Sequence, residues 1–597
     1  MTARRWQQAL LLLSLAASGV AAHAGCALSG VTLPVTMSGL RPLVPVTIEN
    51  RQLYLVLDSG AFYSVLTPAS AAQLHLTVQP MKLRLGGVSG NTEASLTSVH
   101  QLTFGDANLS NVTLMVGGTE LGGGAAGLLG QSVLRRSDVE YDLGNGVIRL
   151  IHPEHCKRDP LAYWAGSTPY SVIDFVPDTM LFFTQRSQHR GVIRVDPYIA
   201  GAIGTAYLNG VKISVLFDTG SSRSVLTLRA AARAGVTPAT PGVAPGGESF
   251  GITAGGVPTW IGPFESFRIG GEQTLHTHLR FGDVQVSGGA DMLLGADFFL
   301  SHRIYVANSQ RKLYFTYNGG PVFDLKSDAT DAGQQKTNGD EPTDAAGFGR
   351  RGSAFAARQL LARAIADFTR ACELAPTQPE YFYQRGLAYR DDKQPSLALA
   401  DFDQALRLKP DSLGPRLARA EVHLQAGDKA AAAADLEIAA QVASAQSELR
   451  LEIAIDDVEA DRLDAAIAQY DLWTASHPND TEFGRALTGR CWARALAGIE
   501  LAKAERDCSQ ALQRDPHSSS ILTDRGVVRL REGKYAKSLN DFEAALQQDP
   551  KAAWALYGRA VDESRLGRAA ASQADLSAAA AADPEIAARA KHYGVTL

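Results

Sequence analysis

The chain is 597 residues long, which at roughly 100–200 residues per domain makes it multidomain. Charged residues at 20% and hydrophobic ones at 45% exclude a wholly disordered chain, and a formal net charge of −5 excludes the basic excess of a nucleic-acid binder. Glycine is unevenly spread: 42 of the 56 precede residue 347, so the first part is turn-rich and the second can be helical throughout.

Residues 1–24 have the layout of a secretory signal peptide. Arg4 and Arg5 precede the apolar run Ala9 to Ala17, small residues follow, and Ala22-His23-Ala24 offers a cleavage site before Gly25. The run is too short to span a bilayer and no other stretch reaches 18 apolar residues, so no transmembrane span is expected. The expected location is periplasmic or secreted. Two alternatives are a lipid anchor on Cys26, against which His23 stands where such signals usually carry Leu, and a twin-arginine signal, which the residues around Arg4 and Arg5 fit poorly.

Residues 28–320 contain one unit written twice. Leu57-Asp58-Ser59-Gly60 aligns with Phe217-Asp218-Thr219-Gly220, and four residues on both copies read Ser-Val-Leu-Thr, at 64–67 and 224–227. Turn residues and a short apolar run precede each Asp: Glu49-Asn50 before Leu53–Leu57, and Asn209-Gly210 before Val211–Phe217, the pattern of a β-hairpin entering a loop. Short helices are predicted at Ala69–Leu74 and Arg229–Ala234. Leu-Leu-Gly recurs at 128–130 and 293–295, 72 and 77 residues after the respective Asp. Strand-like segments close each copy, Val139–Leu143 with Val147–Ile151, and Ile304–Val306 with Leu313–Tyr317. A single Asp-Ser/Thr-Gly is a common turn, expected by chance in roughly one such chain in four. Two copies with matched flanks are not explained that way.

These motifs resemble those of retropepsin-like aspartic peptidases, over about 290 residues. The resemblance implies two all-β lobes, 25–156 and 196–320, joined by a connector at 157–195, with Asp58 and Asp218 as the catalytic pair. It implies that Ser59 and Thr219 reach across to the opposite loop. Gly60 and Gly220 permit tight backbone beside each carboxylate, and Gly130 and Gly295 let a later strand pass beneath. The chemistry calls for such a pair. Two carboxylates about 3 Å apart cannot both ionise, so one is the base for a water and the other polarises the peptide carbonyl. No cofactor is required. Flap hairpins are placed at Leu85–Ala94 and Gly246–Pro258. Pairing of the lobes within the chain is favoured, since the connector is long enough for one lobe to dock on the other. Gly122 to Gly127 matches G-x-G-x-x-G but lacks the following helix of a dinucleotide site. His276 and His278 lack a third metal ligand, and His152-Pro-Glu-His155-Cys156 resembles a metal cluster but sits at a lobe terminus, where ordinary surface residues are the preferred reading. A disulfide between Cys26 and Cys156 fits a lobe whose first and last strands are neighbours.

Residues 321–346 lack hydrophobic periodicity and read as a flexible linker. From 347 to 597 prolines fall at 376, 410, 478, 516, 550 and 584, a spacing of 34 with one Pro missing and one step of four extra residues. With Gly352 and Gly386, Ala364 and Ala398, and Phe368 and Phe402 in matching places, the segment resembles about seven tetratricopeptide repeats. That resemblance implies an all-α solenoid whose groove holds a peptide or protein, and it sets Cys491 opposite Cys508 for a second disulfide. Five reduced thiols acting as small hydrophobes is the other reading of the cysteines. Two functions follow: an exported aspartic endopeptidase with a recruiting array, or a non-catalytic peptide-binding scaffold.

Overall fold

The computed structural model describes residues 26–175, 202–319, 322–323 and 341–596, apart from positions 88–89, 106, 119–120, 122–124, 252–255, 479 and 481. The predicted signal segment 1–24, the predicted connector beyond residue 175, most of the predicted linker and the tips of the two predicted flaps lie outside the described residues.

Among the described residues each lobe is one sheet curled back on itself. The first has eight strands, in the spatial order Thr36–Ser38, Arg41–Ile48, Arg51–Leu57, Ala125–Leu129, Val65–Leu66, Ala107–Gly117, Gly90–Phe104 and Gln79–Gly87. The second has seven, in the order Ile203–Leu208, Val211–Phe217, Met292–Leu294, Val225–Thr227, Glu272–Gly282, Gly256–Ile269 and Ala244–Phe250. Extra pairings, Arg41–Ile48 with Gly90–Phe104 and Ile203–Leu208 with Gly256–Ile269, close each sheet. Alternation explains the strands: Ile203–Leu208 turns Gly204, Ala206 and Leu208 inward and half-exposes the residues between them.

A third, six-stranded sheet joins the lobes, in the order Ala27–Pro34, Val147–Glu154, Asp138–Asp142, His302–Ala307, Lys312–Tyr317 and Ser171–Asp174. Its central pair is antiparallel, with Glu140 opposite Tyr305, and a pseudo-two-fold axis passes between them. Ser171–Asp174 falls within the predicted connector. It pairs with Lys312–Tyr317 and alternates, Ser171 and Ile173 turned inward and Val172 and Asp174 outward, so that part of the connector is an edge strand and not a tether. The disulfide Cys26–Cys156 ties the edge strand Ala27–Pro34 to its neighbour Val147–Glu154, where Ala27 faces Glu154.

Beyond the linker, among the described residues, fourteen helices form seven antiparallel pairs from Ala345–Ala357 to Ala569–Ala582, and Ile586–His592 covers the end. Cys491 and Cys508 form the second disulfide, between the helices of the fifth pair, and Cys372 is a buried free thiol. A repeated ion pair links the helices of most pairs: Arg351–Asp367, Arg385–Asp401, Arg419–Asp435, Arg490–Asp507, Arg525–Asp541 and Arg559–Asp575. The fourth pair, where the periodic Pro is missing, has Gln469 at the Asp position, and Arg450 is its partner.

The array is packed onto the lobes and does not hang from the linker. The Met37 N–H donates to Ser353 Oγ at 3.2 Å, and Arg358 donates to the Gly319 carbonyl at 2.6 Å. Gly146, at φ 66°, faces Arg350, and a Cβ there would meet the Arg350 Cβ at 2.4 Å. Val322 and Phe323, inside the predicted linker, pack on the second lobe, with Phe323 edge-on to Phe267 at 5.1 Å. One buried apolar cluster runs from Leu33 through Phe217 and Phe299 to Ala354 of the first array helix.

Candidate active site

The shared motif Ser-Val-Leu-Thr has a job at each residue. Ser64 Oγ accepts the Gly130 N–H and Ser224 Oγ accepts the Gly295 N–H, both at 3.0 Å, so the Leu-Leu-Gly strand is tied to the limb leaving each Asp. Val65–Leu66 and Val225–Thr227 are the strands between. Thr67 and Thr227 then cap the short helices Pro68–Gln73 and Leu228–Arg233, each hydroxyl accepting a backbone N–H at 3.2 Å. Gly130 and Gly295 sit where a Cβ would lie 2.5 Å from the Tyr63 carbonyl oxygen and 2.6 Å from the Arg223 carbonyl carbon, so only glycine allows this approach.

The two Asp loops meet across the lobes. Thr219 Oγ1 donates to the Leu57 carbonyl at 2.7 Å and accepts the Ser59 N–H at 3.0 Å. Ser59 Oγ donates to the Phe217 carbonyl and accepts the Thr219 N–H, both at 2.9 Å. All four bonds are buried, so each hydroxyl satisfies two backbone groups of the opposite loop that would otherwise be orphaned.

The carboxyls lie over this lattice. Asp58 Oδ1 accepts N–H groups from Gly60 at 2.9 Å and Ala61 at 2.7 Å, and Asp218 Oδ1 accepts those of Gly220 at 2.9 Å and Ser221 at 3.2 Å. Each carboxyl rests on the other loop's glycine: a Cβ on Gly60 would lie 2.3 Å from Asp218 Cγ, and one on Gly220 would lie 2.2 Å from Asp58 Cγ. The two carboxyls also hydrogen-bond each other. Burial, then the charge and hydrogen bond of Asp218, hold the Asp58 carboxyl well above the usual range. Burial also raises Asp218, but its hydrogen bonds from Asp58 and from backbone N–H groups oppose the rise. The pair therefore holds its proton to higher pH than a free carboxyl would, and that proton belongs to the pair and not to either residue.

Several residues at the site were not singled out by the sequence. Gln131 Nε2 donates to the Ser59 carbonyl at 2.7 Å, bracing the first loop from below. In the second lobe Asp297 accepts the Ser224 N–H and hydroxyl, at 2.9 and 2.7 Å, and burial pushes its carboxyl up to about 6. Tyr141, on the central pair of the joining sheet, is 1% exposed and hydrogen-bonds Ser59 beneath the dyad. Across the pair it faces Ile304 of the second-lobe strand, which carries no hydroxyl. The flaps are hairpins of Gln79–Gly87 with Gly90–Phe104 and of Ala244–Phe250 with Gly256–Ile269. Among the described residues no group of His, Cys, Asp and Glu could hold a metal, and no helix is long and apolar enough to cross a membrane.

Comparison with known families agrees with this division. Residues 44–133 and 204–298 match the family described as aspartyl protease, one segment per lobe, and residues 379–412 match a tetratricopeptide repeat. The chain carries two aspartyl protease-like lobes followed by a tetratricopeptide array. Among curated proteins none matches it. Solved structures similar to the array include a tetratricopeptide repeat protein from Parabacteroides merdae, 15% identical over 41% of this chain and 97% of that one, with a TM-score of 0.32. YrrB, described as a TPR protein with an unusual peptide-binding site, is 17% identical over 38% of this chain and 97% of its own, with a TM-score of 0.24. The APC/C complex Cut9-Hcn1 is 14% identical over 37% of this chain and 42% of that one, at 0.30, so the chain spans less than half of it. At such scores the array's fold rests on the repeat match and on the helix pairs themselves.

Proposed function

We propose that the protein is an exported aspartic endopeptidase whose array recruits a substrate or partner protein. The observation that carries this reading is the hydrogen-bonded pair of buried carboxyls on two loops locked by Ser59 and Thr219. Such a pair holds one proton between two oxygens. The carboxylate of the pair takes a proton from water as the water attacks the peptide carbonyl carbon, and the proton held by the other carboxyl moves to the carbonyl oxygen. The tetrahedral diol then collapses: one hydroxyl returns its proton to the carboxylate that had given one, the C–N bond breaks, and the amine leaves with a proton from the carboxyl that had accepted one. The titrations belong to the pair, so the rate falls on the alkaline side as the shared proton is lost and on the acid side as the second carboxyl protonates.

Export is supported by the signal-like leader and by the two disulfides, which persist in oxidising compartments. The Cys26 thiol is held by Cys156, which favours a soluble product over a lipid anchor at that sulfur. Cell fractionation tests this: recovery of the chain with residues 1–24 still attached in the cytoplasm would refute export. For catalysis, casein or a peptide library is incubated with the full chain and with Asp218→Asn. Cleavage between pH 3 and 8 that the substitution abolishes is expected. No cleavage by the wild type, with partner binding intact in both, would leave a scaffold.

A further inference from the structure

The two lobes are built on one plan, so each cleft wall can be compared position by position with its counterpart. The register fixes the pairs. In the first lobe Val65 lies beside Met115 and Ala94 is opposite Gly117; in the second Val225 lies beside Arg280 and Thr259 is opposite Gly282. Tyr63 and Arg223 are the fifth residues after Asp58 and Asp218. These positions run from the limb leaving the Asp loop to the hairpin arm that folds over it. An extended peptide must lie in that space to bring a bond to the carboxyls.

The walls differ in kind. On the first, Val65, Ala94 and Met115 are buried together, with Tyr63 packed against them. On the second, Met115 is replaced by Arg280, Ala94 by Thr259 and Tyr63 by Arg223. Arg280 Nη1 donates to the Thr259 hydroxyl at 2.6 Å and to the Gly246 carbonyl of the flap arm, which aims the guanidinium along the wall. No carboxylate comes within ion-pair distance of either arginine among the described residues. Asp297, the acid acting on both at longer range, is 3% exposed and committed to Ser224. Burial and the neighbouring Arg223 charge both press against the charge on Arg280. Two unpaired cations at the mouth of a partly desolvated site are relieved by an anion, and a guanidinium binds a carboxylate with two parallel hydrogen bonds.

We infer that the second-lobe wall receives an acidic side chain of the substrate, through Arg280 and Arg223, while the first-lobe wall receives an apolar one. Because the walls are related by the pseudo-two-fold axis, the two side chains stand at equal distances on opposite sides of the scissile bond. The inference rests on the peptidase reading for its cleavage form, and names the substrate class of that site: peptides pairing an acidic with an apolar residue across the cleaved bond.

The test is a peptide set in which Glu and Gln are exchanged at each of three positions on either side of the cleaved bond, with kcat/KM measured at pH 6 and pH 3. At pH 6 the expected result is a preference for Glu of about tenfold or more at one position on one side only, as for a charge-assisted hydrogen bond. It should collapse at pH 3, where the peptide carboxyl is protonated. Arg280→Met, which copies the first lobe, should bring the Glu/Gln ratio to within about twofold of one, whatever the absolute rate. Arg223→Tyr, an exposed position where folding is not at stake, should lower the ratio partway. A wild-type ratio near one, or one unchanged in Arg280→Met, overturns the inference and leaves the peptidase intact. Binding of the same labelled peptides to the full-length Asp218→Asn chain, read by fluorescence anisotropy, separates the two claims. Tighter binding of Glu peptides without any wild-type cleavage keeps the cationic wall and removes the peptidase; equal binding of Glu and Gln peptides removes the wall.

Discussion

The lobes and the array hold themselves together over different distances. In the lobes the decisive contacts join residues about 160 apart, as in Ser59 with Thr219 and Glu140 with Arg303. In the array the corresponding contacts span 16 or 17 residues and recur, from Arg351–Asp367 to Arg559–Asp575. A lobe contact therefore has no substitute elsewhere, whereas an array contact is one of several like it. Damage to the first should be all-or-none for the site, and damage to the second local.

Gly60→Ala should break the comparison most strongly. The new Cβ lands on the Asp218 carboxyl, which must then leave its place. Peptide cleavage should fall by at least about 10³-fold, since misplacing a catalytic group by an ångström already costs about 10². Thr219→Val comes next. It removes two buried hydrogen bonds and orphans the Leu57 carbonyl and the Ser59 N–H. Chemical denaturation should show a loss of about 2–4 kcal/mol in the lobes. Retention of full activity by either variant would mean that the two loops do not act as one unit.

In the array, Asp401→Ala leaves the Arg385 guanidinium without its bidentate partner in a mostly buried setting. The expected cost is about 3 kcal/mol, confined to neighbouring repeats in hydrogen exchange, with cleavage of short peptides unchanged. Exchange that rises equally in the lobes would contradict the local picture.

How much of this the sequence carried follows the same division. The 34-residue period announced the array, and the arginine and aspartate periods were there to be read beside the prolines. The Asp loops were legible because each is a contiguous motif, and Ser64 and Ser224 lay in view within Ser-Val-Leu-Thr. Tyr141 and Arg280 were not legible. Both act through strand register across the joining sheet or within a lobe, and no local spacing encodes which strand becomes a neighbour. The edge strand Ser171–Asp174 was hidden for the same reason, since its partner lies about 140 residues on.

Asp562 sharpens the comparison from the stabilising side. It is 0% exposed, and neither carboxylate oxygen has a hydrogen-bond partner among the described residues; the nearby Ser538 hydroxyl donates to the Gly526 carbonyl. Burial pushes the Asp562 carboxyl up to about 7. A folded-state value above the unfolded one means that the folded chain binds the proton more tightly, so stability is lost as pH rises from about 4 to about 7 and the full cost stands above that. Asp562→Asn should therefore stabilise the array by about 1–3 kcal/mol at pH 8 and have little effect at pH 4. The same gain at both pH values would show that the carboxylate charge is not what costs stability there.

Tyr141→Phe is the smallest effect and the most specific to lobe asymmetry. The Ser59 oxygen already accepts the Thr219 N–H and donates to the Phe217 carbonyl, so the Tyr141 hydroxyl supplies its remaining acceptor bond. Phenylalanine keeps the ring and its edge contact with Phe299 and removes only that bond. The loss should be about 0.5–1.5 kcal/mol, because the Ser59 hydroxyl keeps its other two partners. Burial and the carboxyl charges hold the phenol well above its usual range, so it stays neutral wherever the dyad titrates. The pH–rate profile of Tyr141→Phe should thus keep its limbs, with only its height lowered. A displaced alkaline limb would mean that the hydroxyl acts on the shared proton directly, and that the two lobes differ in their chemistry as well as in their walls.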